Sequence, residues 1–226
     1  MGEIADRMVK RIWHEGGKLL GRPRREDVLK ILPKDSVGAE IGVFKGEFTA
    51  HILRTVQPKE LHLIDAWWFL YGEYYPDWGA YTEFGRLRTK DAFECAERIV
   101  ARLDRRNATV FHVGDDVESL EGFADSYFDW VYLDTSHEYA HTRRELMVLK
   151  RKVRMGGLIS GDDWQTDPNH EHHGLCRAVM EFCQTFGWEL VHLDSYGQWC
   201  IRQAVESSKQ GLHPGNVGTR DGTVRP

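Results

Sequence analysis

Three residues close together in the chain have types and a spacing that could bind a charged small molecule. Glu40 stands just before Gly42, and Gly46 follows four positions later. Glycine has no Cβ, so a ligand can lie directly against the backbone of such a turn, although two glycines after a strand also occur in a plain tight turn. The carboxylate of Glu40 would repel a pyrophosphate and attract an ammonium group. The pattern therefore favours a ligand that carries a positive charge.

An acidic residue at the end of the next apolar run adds a second contact. Asp65 closes the run LHLID and lies 19 residues beyond Gly46, where a carboxylate can accept hydrogen bonds from both hydroxyls of a ribose. The alternative is that Asp65 only caps the next segment. Ala66 and Trp67 follow directly and are assigned to the same pocket. S-adenosylmethionine has an ammonium and a sulfonium but no phosphate, and the turn lacks the G-x-G-x-x-G of dinucleotide-binding loops.

Three more carboxylates stand at the ends of later apolar runs. Asp134 follows FDWVYL, and Asp162 and Asp163 follow LISG. Carboxylates that converge at neighbouring strand ends repel one another unless they are protonated or neutralised by a cation. Hard oxygen ligands suit Mg²⁺ or Ca²⁺ better than zinc, so we expect one such ion at these acids. The alternative is that Asp162 or Asp163 caps the following helix or turn.

A histidine close to one of these acids could act as a base. His137 lies three residues beyond Asp134 and could accept a proton near neutral pH, with His141 as the neighbouring alternative. His137 could also cap the next helix or bind an acid. A second group lies in a later loop and comprises His170, His172 and His173. It lacks the fixed scaffold of a zinc site, so we expect it to line the mouth of the site or to be solvated.

Alternating strands and helices are predicted to position these residues. The predicted strands are 37–43, 61–67, 108–116, 128–139 and 155–164, with a closing hairpin of 188–194 and 198–202. The predicted helices are 3–20, 25–32, one that ends at Pro58, 91–103, 142–153 and 175–186. Such alternation predicts a parallel sheet with helices on both faces. Ligands of these sheets bind beyond the carboxyl ends of the strands, where the acids named above fall.

The chain is predicted to fold as one main domain, residues 35–203, preceded by N-terminal helices in 1–34. Residues 66–90 carry an unusual number of aromatic side chains, which suit a lid over an apolar or sugar-like substrate or a small satellite core. The N-terminal helices could cover a cleft or mediate a homo-oligomer, or simply pack on the core. Residues 204–226 are polar and rich in glycine, so we expect a disordered tail.

Composition argues against several classes of partner. The 226 residues are 41% hydrophobic and 29% charged, which is ordinary for a soluble globular protein. The net charge is −5, so nucleic acid is not the expected partner. No apolar run is long enough for a membrane span, and the charged N-terminus does not resemble a signal peptide. Four cysteines without a C-x-x-C pair favour reduced thiols and a cytoplasmic location.

The motifs together resemble those of a known enzyme family. The E-x-G-x-x-x-G turn resembles the first motif of class I S-adenosylmethionine-dependent methyltransferases. In residues 133–164 a strand-end acid is followed by H-x-Y, E-L, G-G and D-D, which is similar to the macrocin-type sugar O-methyltransferases and their relatives, the cephalosporin hydroxylases and rhamnosyl O-methyltransferases. The resemblance covers about 36–203. It implies an α/β, Rossmann-like fold with a mostly parallel seven-stranded sheet, a C-terminal β-hairpin and helices on both faces.

The resemblance also implies roles for individual residues. Asp134, Asp162 and Asp163 match the acids that bind a divalent cation in the sugar enzymes, although Thr-Ser-His follows Asp134 here where those enzymes usually have Gly-Asp. The end of the third strand, Gly114 to Asp116, would contact the adenine. The residues expected to bind the cofactor are Glu40, Gly42, Gly46, Asp65, Ala66, Trp67, Gly114, Asp115, Asp116 and Asp134.

From these observations we expect an S-adenosylmethionine-dependent O-methyltransferase of a small-molecule hydroxyl, such as that of a sugar or glycosylated metabolite. His137 and Asp134 would be its catalytic residues, and Mg²⁺ or Ca²⁺ would assist. One alternative is an oxidoreductase with a nucleotide cofactor, which binding of NADH would support. Another is a non-catalytic S-adenosylmethionine-binding protein, which would bind the cofactor tightly without transferring its methyl group.

Overall fold

Seven strands and six α-helices alternate along residues 24–204, the part of the chain that the computed structural model describes. The strands are β1 Val37–Ile41, β2 Glu60–Asp65, β3 Thr109–Val113, β4 Phe128–Leu133, β5 Val153–Gly161, β6 Trp188–Leu193 and β7 Trp199–Gln203. The helices are α1 Glu47–Thr55, α2 Trp68–Tyr71, α3 Thr89–Leu103, α4 Asp116–Glu121, α5 Tyr139–Lys152 and α6 His173–Phe186. Two 3₁₀ helices, Arg25–Lys30 and Gly79–Thr82, complete the fold. The helix predicted at 3–20 and the predicted tail beyond Ala204 lie outside the described residues.

All seven strands form one sheet in the order β3-β2-β1-β4-β5-β7-β6. The five strands β1 to β5 run parallel to one another, whereas β7 is antiparallel to both β5 and β6. This confirms the predicted mostly parallel sheet with a closing hairpin. The order of the strands reverses between β1 and β4, and such a switch point opens a crevice at the carboxyl ends of the strands.

Successive side chains of a strand point to opposite faces of the sheet. Apolar side chains therefore lie on both faces, and a separate set of helices covers each face. On one face Ile41 and Leu133 pack in a cluster that includes residues of α4, α5 and α6. On the other face Leu63 and Tyr132 pack with residues of α1, α3 and the first 3₁₀ helix. None of the helices between residues 24 and 204 has the length and apolar character that a membrane crossing requires.

Several predicted strands extend too far at their carboxyl ends. The third was expected to reach Asp116 but ends at Val113, because the Oδ1 of Asp115 accepts the backbone N–H of Glu118 at 2.9 Å and caps α4. The fourth ends at Leu133 rather than at residue 139, and the fifth ends at Gly161 rather than at residue 164. The polar residues after each strand therefore form loops, and most of the candidate site is built from these loops.

The aromatic segment 66–90 is a structured insertion that packs on the glycine turn. It contains α2, the 3₁₀ helix Gly79–Thr82 and an isolated bridge between Tyr74 and Arg88. The ring of Tyr81 stacks on Phe44 with centroids 4.2 Å apart. Large side chains of the insertion stay exposed, namely Trp68, Phe69, Leu70, Tyr74, Trp78, Tyr81 and Phe84. Its role as a lid stays a prediction.

Candidate active site

The two glycines of the turn after β1 are required by close approaches of the backbone. Gly42 has a φ of +85°, and a Cβ there would overlap the carbonyl oxygen of Asp134. Gly46 has a φ of +77°, and a Cβ there would lie 2.9 Å from the Cα of Ala96 in α3. A side chain at either position would force strands or helices apart. The turn is thereby held against the carboxyl end of β4.

Asp65 organises this turn through the backbone. Its Oδ2 accepts the N–H groups of Val43 at 2.8 Å and Phe44 at 2.7 Å, and its Oδ1 accepts the N–H of Trp67 at 3.0 Å. A carboxylate offers about four acceptor positions, and backbone donors take at least three of them here. Burial raises the pKa of Asp65, while hydrogen bonds from the backbone N–H groups of Phe44, Trp67, Val43 and Ala66 lower it. Shaping the turn is thus a second role, which the sequence did not predict.

Trp67, which the sequence assigned to the cofactor pocket, contributes its side chain to the core. Its indole is fully buried, and its ring packs edge-on against Phe93 with centroids 4.9 Å apart. Its Nε1 donates to the carbonyl oxygen of Phe44 at 3.0 Å. The side chain therefore supports the glycine turn from behind. Ala66, half-buried at the end of β2, accepts the N–H of Phe69 with its carbonyl oxygen at 2.8 Å.

Glu40 is a buried carboxyl group on the face of β1 that packs against α1. It is 1% exposed, and its Oε2 accepts a hydrogen bond from the hydroxyl of Thr49 at 2.5 Å. Burial raises the pKa of Glu40 to about 8, although the Thr49 hydroxyl lowers it. The group is therefore mostly protonated at neutral pH, and a ligand ammonium nearby would favour its ionised form.

The raised pKa of Glu40 makes the stability of the protein depend on pH. Between its ordinary pKa of 4.5 in the unfolded chain and about 8 in the folded chain, the folded state binds more protons, so stability is lost as pH rises through this window. Glu40→Gln removes this titration. Relative to wild type, we expect its free energy of unfolding to rise by roughly 2–4 kcal/mol between about pH 5 and about pH 9.

Urea unfolding at the two pH values measures this difference. Glu47→Gln is the matched control, since Glu47 is exposed in the first turn of α1. A difference between Glu40→Gln and wild type that does not change with pH would contradict the buried, titrating carboxyl.

Two of the three acids predicted to bind a metal are joined by an arginine. Nη2 of Arg25 lies 2.6 Å from Oδ2 of Asp134 and 2.5 Å from Oδ2 of Asp162. The guanidinium also lies over the ring of Phe48, 5.0 Å from its centroid. Burial raises the pKa of Asp134 to about 7; Arg25 lowers it and Asp162 raises it. Sequence reasoning missed Arg25, because it stands 109 residues before Asp134 without a local motif.

The remaining oxygen of Asp162 is also engaged. Its Oδ1 accepts hydrogen bonds from the side-chain amide of Gln198 and from the backbone N–H of Asp163. Gln198 is fully buried and accepts the hydroxyl of Tyr132 at 2.7 Å. Mg²⁺ demands several oxygen ligands at about 2.1 Å in octahedral geometry, whereas a guanidinium already binds the two carboxylates here. The predicted three-acid site for Mg²⁺ or Ca²⁺ therefore does not fit this arrangement.

The third acid, Asp163, faces two histidines instead. Its Oδ2 lies 3.5 Å from Nδ1 of His137 and 3.2 Å from Nδ1 of His172. One ligand atom from each of the three residues lies within 4.8 Å of the others. Two imidazoles and a carboxylate suit a transition metal better than Mg²⁺. The sequence grouped His172 with its loop neighbours and did not connect it with His137.

His137 is placed as a proton acceptor would be. It is 5% exposed, its Nε2 lies 3.7 Å from Oδ1 of Asp134, and this buried Nε2 has no hydrogen-bond partner among residues 24–204. Burial lowers the pKa of His137 to about 4; Asp163 raises it, while His172 and Arg25 lower it. The imidazole is therefore neutral at neutral pH and has a free nitrogen.

The alternative base, His141, is already paired. Its Nε2 lies 2.6 Å from Oδ2 of Asp116, and this hydrogen bond raises the pKa of His141. Glu145 lies beside them, and burial raises its pKa to about 8. Of the residues predicted to contact the adenine, Asp115 caps α4, and Gly114 donates its N–H to the carbonyl oxygen of Asp65 at 3.1 Å. The carboxyl ends of β2 and β3 thus lie side by side.

Comparisons with known proteins agree with this architecture. A family model described as a methyltransferase domain matches residues 39–164, which include every residue predicted to act in catalysis or to bind the cofactor or the metal. A comparison with curated proteins found no match. A solved protein from Corynebacterium glutamicum is similar, with a TM-score of 0.60 and 14% identity over 90% of this chain and 90% of that one.

Two further solved structures have the same fold. A SAM-dependent methyltransferase from Aquifex aeolicus has a TM-score of 0.52 and 16% identity over 78% of this chain and 85% of that one. The O-methyltransferase TomG from Streptomyces achromogenes, involved in tomaymycin synthesis and solved with SAM, has a TM-score of 0.51 and 17% identity over 86% and 87% of the two chains. The predicted class I methyltransferase fold is confirmed.

Proposed function

This chain belongs to the family of methyltransferase domains and is an S-adenosylmethionine-dependent methyltransferase, and from that premise we propose that it methylates a hydroxyl group of a small molecule. The observation that carries the proposal is the environment of His137. Its Nε2 is buried and without a hydrogen-bond partner in residues 24–204, beside Asp134 at the end of β4. Buried polar atoms are normally paired, so a nitrogen left free beside the glycine turn favours a ligand proton as its partner.

The reaction is an in-line displacement. When bound, S-adenosylmethionine would supply the methyl group, the electron pair of its carbon–sulfur bond staying on sulfur while the bond from carbon to the acceptor oxygen forms. His137 accepts the hydroxyl proton at Nε2. Asp134, 3.7 Å from Nε2, and Asp163, 3.5 Å from Nδ1, would stabilise the imidazolium that results.

The acceptor class rests on two features of the chain. Residues 133–164 resemble the corresponding segment of sugar O-methyltransferases, and exposed aromatic side chains of the insertion lie next to the glycine turn, where Tyr81 stacks on Phe44. Aromatic rings with polar tips suit the faces of sugar or aromatic rings. We therefore propose a glycosylated or aromatic hydroxyl compound as the acceptor. The proposed reaction includes no Mg²⁺, because Arg25 already binds Asp134 and Asp162, two of the three acids predicted to hold the ion.

A labelled-methyl assay tests this proposal. The wild-type enzyme is incubated with methyl-labelled S-adenosylmethionine and three acceptor panels: sugars and glycosides, phenols, and primary amines. We expect label only in compounds with a free hydroxyl, as a methyl ether identified by mass spectrometry. The matched control for each active acceptor is its deoxy analogue, which should stay unlabelled. Label in amines alone would contradict methylation of a hydroxyl.

A further inference from the structure

The contact between Arg25 and two strand-end acids joins the beginning of the described chain to the active site. One guanidinium nitrogen, Nη2, lies within 2.6 Å of both Asp134 and Asp162, where the sequence led us to expect a divalent cation. We propose that Arg25 takes the place of that cation, so that this enzyme transfers the methyl group without a metal ion. The absence of a metal from methyl transfer rests on the proposed function. The contacts of Arg25 with Asp134 and Asp162 do not depend on that function.

The chemistry of the two acids fits a guanidinium. Asp134 and Asp162 would repel each other without a positive charge between them. An arginine keeps its charge at every accessible pH, and its planar group carries five N–H donors that match carboxylate geometry. The Arg25 side chain is 47% exposed, so that a ligand in the crevice can reach it.

The helix that carries Arg25 is firmly attached to the domain. Val28 and Leu29, on the same 3₁₀ helix, are 0% and 1% exposed in the core beneath α1. The carboxylate of Asp27 accepts the backbone N–H of Arg24 at 2.9 Å and fixes the first turn. The guanidinium itself rests on Phe48 of α1. These contacts hold the guanidinium of Arg25 in one position, which is needed if it is to orient an acceptor molecule.

Removing the guanidinium should turn the acid pair into a Mg²⁺ site. In Arg25→Met, the freed oxygens of Asp134 and Asp162 offer the hard ligands that Mg²⁺ prefers. We expect Mg²⁺ to raise the Tm of this variant by about 2–4 °C and to leave the wild type unchanged. Arg24→Met is the matched control: Arg24 is the neighbouring arginine, its side chain is 76% exposed, and its Tm should not respond to Mg²⁺.

A second measurement uses only the wild type. Methyl transfer should be equally fast in excess EDTA and in added Mg²⁺. The proposal is overturned if Mg²⁺ raises the Tm of the wild type and Asp134→Asn removes that rise, or if Arg25→Met and Arg24→Met respond alike. Loss of transfer in EDTA would also overturn it: rescue by Mg²⁺ would point to the three acids, and rescue by Zn²⁺ or Mn²⁺ to His137, Asp163 and His172.

Folding of Arg25→Met is checked by its binding of S-adenosylhomocysteine, which should match that of the wild type. The Mg²⁺ titrations need no acceptor, so their outcome is independent of the acceptor panels. Failure of the metal inference can thus be distinguished from failure of the proposed function.

Discussion

Replacement of His137 by alanine is expected to lower kcat by about 10²–10⁴-fold and to leave the affinity for S-adenosylhomocysteine unchanged. The imidazole is the buried group with a free nitrogen beside Asp134, so its loss leaves the acceptor proton without a nearby base. Most of the predicted cofactor contacts are at the glycine turn and Asp65, so the affinity for the cofactor should not change. Steady-state kinetics on an acceptor from the labelled panels, together with calorimetry of S-adenosylhomocysteine binding, measures both quantities.

The role of His137 also predicts how the rate of methyl transfer depends on pH. The pKa of His137 is lowered to about 4, so its proton-accepting form predominates above that pH and is lost as pH falls through it. We therefore expect that protonation of His137 does not lower the methyl-transfer rate of the wild type between about pH 6 and about pH 8.

The matched control for His137 is His170→Ala. Its ring is exposed in the loop before α6 and accepts the backbone N–H of His172 at 3.1 Å. This variant should keep most of its turnover. A His137→Ala enzyme with most of its turnover at neutral pH would show that another group accepts the proton.

Asp65→Ala should weaken binding of S-adenosylhomocysteine by about 10–100-fold, corresponding to about 1–3 kcal/mol for a lost hydrogen bond to a charged group. The carboxylate accepts the N–H groups of Val43, Phe44 and Trp67, and it is also predicted to accept a ribose hydroxyl. Alanine removes all of these acceptors, so both the shape of the turn and its contact with the ribose are lost.

Asp65→Asn separates these two effects. Its amide oxygen can still accept from Val43 and Phe44, while its NH₂ group cannot accept from Trp67. We expect an affinity between those of wild type and Asp65→Ala, with a smaller loss of Tm. Unchanged affinity in both variants, measured by calorimetry, would mean that Asp65 contacts no cofactor and only shapes the turn.

Much of the fold could be predicted from the sequence, because apolar runs and turn residues report local structure. Each strand was located, and the closing hairpin was predicted around Gly197, whose φ is +80°. The sequence does not predict helix α4, because Gly114 and the acids after it resemble the end of a strand. A signal was present: Asp115 followed three residues later by Glu118 is typical of a helix N-terminus.

Only those site residues could be predicted whose positions follow from the order and direction of the strands. Asp134 and Asp162 were expected to meet because parallel neighbouring strands end at the same edge, and they do. That Arg25 would supply their positive charge was not predictable, since a contact across 109 residues leaves no periodic pattern. The contact of His172 with Asp163 depends on the path of an irregular loop, which propensities do not describe.

Isothermal titration calorimetry of the wild-type protein with S-adenosylhomocysteine, and separately with NADH, tests most directly that the glycine turn binds a phosphate-free cofactor. We expect saturable binding of S-adenosylhomocysteine at one site per chain and no binding of NADH, because the turn lacks the G-x-G-x-x-G of dinucleotide-binding loops. Saturable binding of NADH without binding of S-adenosylhomocysteine would contradict this cofactor assignment and favour a nucleotide-dependent oxidoreductase.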